Sequence, residues 1–386
     1  MKRANARARA NARAALGEAR ARTRANDAWT RARANASPSA TTSTATTKTN
    51  EVKTILGTMT FGWKHASATC EDDEAREMVR AFARRGFKEI DTALAYAGGK
   101  TEGIVGRAIR ALEREGTHLE VATKANPWPG GVMTSSAGMG GLAPREFRDQ
   151  VDRSLASLGK DVGVKIMYLH APDAGTKLVD ILREAEAMRN RGAFRELGLS
   201  NFSAWEVVMA HGICVEHGWT PPTIYQGMYN ALTRNVEAEL IPALKATKMR
   251  FVAYNPLCGG LLTGKYANRD ISAVAGGRFD GNEMYQNRFW LDVYHDAVAN
   301  VSSACGRHGI APADASLRWL YNHSHLDGAK GDGVIIGAST SAQLESNLAS
   351  ATNAEPLPVD VLSAFDDGWS KCKPFSAAYF RGHCKI

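Results

Sequence analysis

The feature that most limits what this chain can fold into is an alternation repeated eight times. From Glu51 onward, short apolar runs are each followed by an amphipathic stretch of roughly 12–18 residues. Such alternation argues for strand–helix units and a parallel sheet, because a parallel connection must be long enough to hold a crossover helix. The expected strands are Lys53–Thr60, Phe87–Asp91, Glu120–Lys124, Val164–His170, Glu196–Ser200, Thr223–Gln226, Phe251–Asn255 and Gly333–Gly337. Between them Asp72–Arg85, Thr101–Glu115 and Pro144–Leu158 read as helices running into Gly86, Gly116 and Gly159. Glycine ends a helix readily because it adopts the left-handed conformation without a Cβ clash. Eight units close into a (β/α)8 TIM barrel of the α/β class, so residues 51–386 are expected to form one domain. Leu262–Asn282, rich in Gly, Asn and Asp, reads as a long surface loop of the kind that covers a ligand. Val359–Cys372 reads as an extra helix, and Lys373–Ile386 as an irregular tail over the C-terminal face of the barrel.

The net charge of +8 suggests a polyanion partner until its location is considered. Residues 1–50 hold eleven Lys and Arg against Glu18 and Asp27, which is +9, so the remaining chain is close to neutral at −1. A body of that charge has no general attraction to nucleic acid or anionic lipid. The first 50 residues are almost entirely Ala, Arg, Asn, Ser and Thr and cannot bury enough apolar surface to offset the entropy of ordering, so disorder is expected there. Their acid-poor, Arg-rich and Ser/Thr-rich composition is also that of an organelle transit peptide, for plastid or mitochondrion; a cytosolic basic tail or a mis-assigned start is the alternative. Six cysteines without a CxxC pair point to a reducing compartment. The longest apolar runs, such as Val164–His170, fall far short of the roughly 18 residues of a membrane span.

In barrels of this kind the active site forms where the strands end. The second strand ends in Asp91 with Tyr96 five residues further on, the third in Lys124 and the fourth in His170. Singly, each is more often a structural ion pair, cap or loop aromatic. Jointly they point to reduction: hydride reaching a carbonyl carbon drives negative charge onto oxygen, which needs an acid and favourable donors. Tyr96 suits that role if its pKa, near 10 in water, is lowered, and Lys124 can lower it by placing a cation beside the phenol. Asp91 would pair with Lys124, and His170 would donate to the carbonyl oxygen or help relay the proton. No side chain supplies hydride, so a nicotinamide cofactor is implied. No metal ligand set is expected.

The segment Asp91-Thr92-Ala93…Tyr96…Glu102, then Lys124, Leu169-His170 and Glu196–Phe202 resemble the aldo-keto reductases in order and spacing, over about Lys53 to Arg381. Tyr225–Asn230, Asn255–Lys265 and Tyr379-Phe380-Arg381 are similar to the aflatoxin-aldehyde or succinic semialdehyde reductase branch. The resemblance implies NADPH-dependent reduction of aldehydes by a chain that commonly forms a homodimer. It implies that Ser200, Asn201 and Gln226 hold the nicotinamide carboxamide and that Tyr254 stacks on its ring. Asn255, Pro256, Leu257, Gly259, Gly260 and Lys265 would border the pyrophosphate, and Gly337, Ser339, Gln343 and Asn347 the adenosine phosphate. Lys265 and Arg278 would meet a 2′-phosphate, and Tyr285, Arg288 and Arg381 an acidic or dicarbonyl substrate. The family's absence of a GxGxxG motif is met here. Ala97-Gly98-Gly99 and the longer Thr134–Gly141 stretch depart from the branch pattern at the pocket entrance, which bears on substrate identity. The same barrel also serves as a slow-turnover regulatory subunit of potassium channels, a second class of function for this fold.

Overall fold

The computed structural model describes residues 51–63, 66–128, 141–159, 161–274 and 276–386; the basic tail through Asn50 and residues 134–140 of the lengthened loop lie outside the described residues. Eight parallel strands pair in chain order and the last returns to the first, closing the barrel. They are β1 (Lys53–Gly57), β2 (Glu89–Asp91), β3 (Glu120–Ala125), β4 (Val164–Leu169), β5 (Glu196–Ser200), β6 (Ile224–Met228), β7 (Arg250–Tyr254) and β8 (Gly333–Gly337). Helices α1 (Asp72–Arg84), α2 (Lys100–Glu113), α3 (Pro144–Leu158), α4 (Leu178–Asn190), α5 (Ala204–Glu216) and α6 (Leu240–Ala246) follow the first six strands in turn. After β7 come α7 (Glu283–Phe289), α8 (Asp292–Gly306) and α9 (Pro312–Arg318), and after β8 come α10 (Ser341–Ala351) and α11 (Val359–Cys372). Gly86, Gly116 and Gly159 all have positive φ beyond the helix ends, as expected.

The strand ends shift by up to a few residues from expectation. β1 ends at Gly57, paired with Asp91; the Thr58 N–H continues that ladder to the Asp91 carbonyl at 3.0 Å, and the Thr58 hydroxyl donates to the same oxygen at 2.9 Å. β6 runs on to Met228, paired with Tyr254. The expected surface loop after β7 borders the cavity and is pinned as a packed strap: Phe279 is buried and its ring meets those of Tyr266, Tyr285 and Trp290 at 5.2, 6.3 and 5.0 Å. Among the described residues, no helix is long and apolar enough to cross a membrane.

Strand periodicity places the site. Ile55, Ala122, Ile166, Tyr168, Ile224, Val252 and Ile335 pack together inside the barrel. Side chains on one face recur every second residue, so the next inward positions toward the C-terminal face are Gly57, Lys124, His170, Gln226, Tyr254 and Gly337. The outward residues, such as Leu56, Ile90, Val121 and Met167, are buried against the helices. An apolar plug thus supports a polar top layer. Gly198 allows this layering, because a Cβ there would meet the Tyr168 ring at 2.4 Å.

Helix α2 also approaches the end of α3 closely, since a Cβ on Gly106 would lie 2.0 Å from the carbonyl oxygen of Leu158. Gly106→Ala is therefore expected to lower the unfolding free energy by about 1–3 kcal/mol through overpacking against backbone. Urea denaturation checks this, and an unchanged midpoint would contradict the close approach.

Candidate active site

Lys124 is 0% exposed, on the inward face of β3. Its ammonium donates to Asp91 Oδ1 at 2.6 Å, to the Thr92 carbonyl at 2.8 Å and to Tyr96 Oη at 3.2 Å. An ammonium has three protons, so these three acceptors satisfy it completely. The other oxygen of Asp91 accepts from Gln226 Nε2 at 2.7 Å. Because Lys124 donates to the phenol oxygen, the phenol's own proton remains for an acceptor in the cavity. Tyr96 opens a 3-10 turn, Tyr96–Gly99, in which Ala97 takes φ 47°, a conformation that favours glycine. The Ala97-Gly98-Gly99 departure is therefore a sharp turn that joins the phenol directly to α2.

Burial pushes the Tyr96 phenol above its ordinary pKa; Lys124 pulls it down, while Asp91 adds to the rise. The expected net depression is thus corrected: in this geometry burial outweighs the neighbouring cation. The phenol stays protonated at neutral pH, the state an acid must hold before it acts. Burial also opposes charge on Lys124, but Asp91 and Tyr96 prevail and hold its pKa above the ordinary lysine value. Burial lifts the Asp91 carboxyl against the pull of Lys124 and Gln226. His170 is held well below its ordinary pKa by burial, then by Lys124 and Arg381, so its ring is neutral. The ring lies edge-on to Tyr96 at 6.0 Å and to Trp128 at 5.4 Å.

A cavity of 560 Å³ runs across the top of the barrel. Asp91, Tyr96 and His170 line one part, while Lys124 stands behind Tyr96 and does not line it. Ser200, Asn201, Gln226 and Tyr254 line it from strand ends, as do Asn255, Pro256, Leu257, Gly259, Gly260 and Lys265 from the turn after β7. Gly337, Ser339, Gln343 and Asn347 line it beside α10, and Arg278, Tyr285, Arg288 and Arg381 also border it. Several of these make bonds not expected from sequence. The Gln226 amide is turned to Asp91, Tyr254 Oη donates to Asn201 Oδ1 at 2.7 Å, and Gln343 accepts from the Ser339 N–H at 3.0 Å. Thr58, Met59, Ser67 and Tyr266 line the cavity unanticipated. The rule that strand-end loops build the site would have found Thr58 and Met59, just past β1.

One wall is strongly positive. Arg278 Nη1 donates to Tyr285 Oη at 2.6 Å, and the guanidiniums of Arg278 and Arg288 lie 5.5 and 5.9 Å from the centre of that ring. Burial pushes the Tyr285 phenol up, but Arg278, Arg288 and Arg381 outweigh it and bring its pKa below the ordinary value. Three guanidiniums on one wall make a positive field suited to an anion.

The donor set fits a nicotinamide dinucleotide. His170 Nδ1 and Asn255 Nδ2 are buried with no partner among the described residues, although buried polar atoms are nearly always paired. Gly259 and Gly260 take φ 69° and 103° on the cavity wall, and a Cβ on Gly259 would strike the Tyr285 ring at 2.8 Å. Residues 53–369 match the model of the aldo/keto reductase family. The chain belongs to that family. It is 43% identical over 337 residues to an aflatoxin B1 aldehyde reductase member 2 of Rattus norvegicus, covering 85% of this chain and 87% of that one. The Homo sapiens protein of the same name is 42% identical over 338 residues, covering 86% and 90%. Aldo-keto reductase family 7 member A3 of Homo sapiens is 41% identical over 336 residues, covering 85% and 97%. As a member of this family the chain is an oxidoreductase, and the family takes hydride from a nicotinamide dinucleotide.

Behind the site, Glu102 on α2 is 0% exposed and accepts from the Thr123 hydroxyl at 2.5 Å, tying α2 to the outer face of β3. Burial raises its pKa from 4.5 to about 7. The folded chain therefore holds this proton more tightly than the unfolded chain. The resulting stabilisation is complete below about pH 4.5 and is lost as pH rises toward 7. Glu102→Gln keeps the acceptor and removes the titration. Relative to wild type, it is expected to gain on the order of 2–3 kcal/mol between pH 5 and pH 8. Denaturation at the two pH values measures this; a constant difference would contradict it.

Proposed function

We propose that this protein is an NADPH-dependent reductase of aldehydes, with Tyr96 as the proton donor and with aldehydes that carry a carboxylate or second carbonyl as its preferred substrates. The observation that carries this reading is the Tyr96 hydroxyl, which faces the cavity and accepts from Lys124 Nζ at 3.2 Å. When bound, the reduced nicotinamide supplies the hydride that reaches the carbonyl carbon. Tyr96 gives its proton to the oxygen, which balances the reaction as aldehyde to alcohol. The phenolate left behind lies beside the Lys124 ammonium, which favours it and is itself kept charged by Asp91. His170, neutral, can donate one ring N–H to the same oxygen as charge develops on it. Proton donation placed in this way typically contributes about 10²–10⁴ in rate.

Ser200, Asn201, Gln226 and Tyr254 lie at the strand ends nearest Tyr96 and suit the nicotinamide end. The glycine turn and α10 suit the phosphates, where backbone can approach closely. What supports NADPH is that Lys265 and Arg278 line the same cavity and neither pairs with a carboxylate among the described residues. What supports an acidic substrate is the positive wall of Tyr285, Arg288 and Arg381, since guanidinium pairs with carboxylate through two parallel bonds. The names of the aflatoxin aldehyde relatives agree with an aldehyde substrate.

Tyr96→Phe is expected to lose about 10²-fold or more of its turnover of succinic semialdehyde while its NADPH affinity stays near wild type. Consumption of NADPH and its fluorescence titration measure the two quantities, with NADH titrated alongside and expected to bind at least about tenfold more weakly. Near-wild-type turnover by this variant would refute the assigned acid, and equal affinity for the two cofactors would remove the preference.

A further inference from the structure

The last eleven residues do more than cover the barrel. Asn235 Nδ2 donates to Ser376 Oγ and to the Ala377 carbonyl at 3.1 and 3.0 Å. Tyr379 Oη accepts from the Ala204 N–H and donates to Glu239 Oε2, both at 3.0 Å. The Arg381 N–H donates to the Asn201 carbonyl at 2.9 Å. Beyond Arg381, the Cys384 N–H donates to Glu206 Oε1 at 2.6 Å, and Lys385 donates to the Asp173 carbonyl and accepts from the Leu178 N–H at 3.2 and 2.9 Å. The tail is thus fastened on both sides of Arg381.

The fastening at Glu206 has a particular chemistry. Glu206 is 0% exposed, in the first turn of α5. Its Oε2 accepts from Ser203 N and Oγ at 3.0 and 2.7 Å; the first bond, with the Ser203 side chain accepting from the Glu206 N–H, makes a capping box at the start of the helix. The cap needs only that oxygen. Oε1 takes the Cys384 N–H at 2.6 Å, a bond separate from those of the cap. The His383 ring reaches the same carboxylate at 3.4 Å and packs between Trp205 and Phe380, with centroids 5.4 and 5.1 Å away. Residues 383–386 do not line the cavity, whereas Arg381 does.

We infer that Glu206 is a positioning residue: one carboxylate oxygen caps the start of α5, and the other holds the chain terminus so that Arg381 is aimed at a substrate carboxylate. This rests on the reading of Arg381 as a carboxylate partner. Selectivity for acidic aldehydes is therefore set partly by four residues that never touch the substrate.

The test compares succinic semialdehyde with butanal, a four-carbon aldehyde without the acid, in the full-length protein, in a chain ending at Gly382, and in Arg381→Ala, Glu206→Gln and Ser203→Ala. Ending the chain at Gly382 is expected to raise KM for succinic semialdehyde about tenfold, with kcat and the butanal KM within about twofold. Glu206→Gln moves the same ratio in the same direction and decides the matter if the shortened chain does not fold. Ser203→Ala removes a donor to Oε2 and keeps the bond from Cys384 to Oε1, so it lowers Tm and leaves the ratio as it was. If Arg381→Ala changes the ratio and neither the shortened chain nor Glu206→Gln does, the positioning role is overturned and the substrate reading stands. If Arg381→Ala leaves the ratio unchanged, the substrate reading falls and the inference with it. Equal losses on both aldehydes in Glu206→Gln mark a purely structural role and also overturn it.

Discussion

The buried pair of Lys124 and Asp91 is the constraint from which the site follows. An ammonium and a carboxylate can leave water together only if their remaining donors and acceptors are met. Here they are met by Thr92, Tyr96 and Gln226, so satisfying the ions also fixes the phenol. Three strands contribute, and closure of the barrel brings their ends together. The apolar plug of Ile55, Ile166, Ile224 and Ile335 beneath them keeps the pair from water on the lower side. Above it, Tyr96 borders the cavity.

The arrangement separates two tasks. Tyr96, Lys124 and His170 sit on or just past the ends of β2, β3 and β4. The positive wall, by contrast, comes from segments outside the repeating units: Arg278 from the strap after β7, Arg288 from α7 and Arg381 from the terminal tail. Each such segment is pinned by its own packing, the strap by Phe279 among aromatic rings and the tail by the carboxylate of Glu206. On the proposed reading, reaction chemistry is built into the barrel, and substrate preference into what is attached to it.

Much of this was legible in the chain. The eightfold alternation points to a parallel barrel, and the rule that such barrels build their site at the strand ends then puts Asp91, Lys124 and His170 on one rim. Non-local features were not legible. Nothing local tells that Gln226 turns to Asp91 rather than to a ligand, or that Trp128 lies edge-on to His170. The direction of the Tyr96 pKa was misjudged because proximity of a cation is readable from strand order, whereas the depth of burial that outweighs it is not. The strap after β7 has too many glycines to suggest order, yet a few aromatics anchor it. The tail gives no periodic signal, since its partners Asn201, Glu206 and Asp173 lie far away in sequence.

The most direct test of the central claim removes the ion pair while respecting the energetics of burial. Taking away Lys124 alone would strand a buried carboxylate, at about 3–5 kcal/mol, whereas replacing both ions by neutral groups of similar volume is often tolerated. In the doubly substituted Asp91→Asn, Lys124→Met protein, the account expects a folded chain that binds NADPH and reduces succinic semialdehyde about 10²-fold or more slowly at pH 7, because the phenolate of Tyr96 has lost its counter-charge. Turnover within a few-fold of wild type would mean that the phenol needs no ammonium beside it, and the mechanism built on that pair would be wrong.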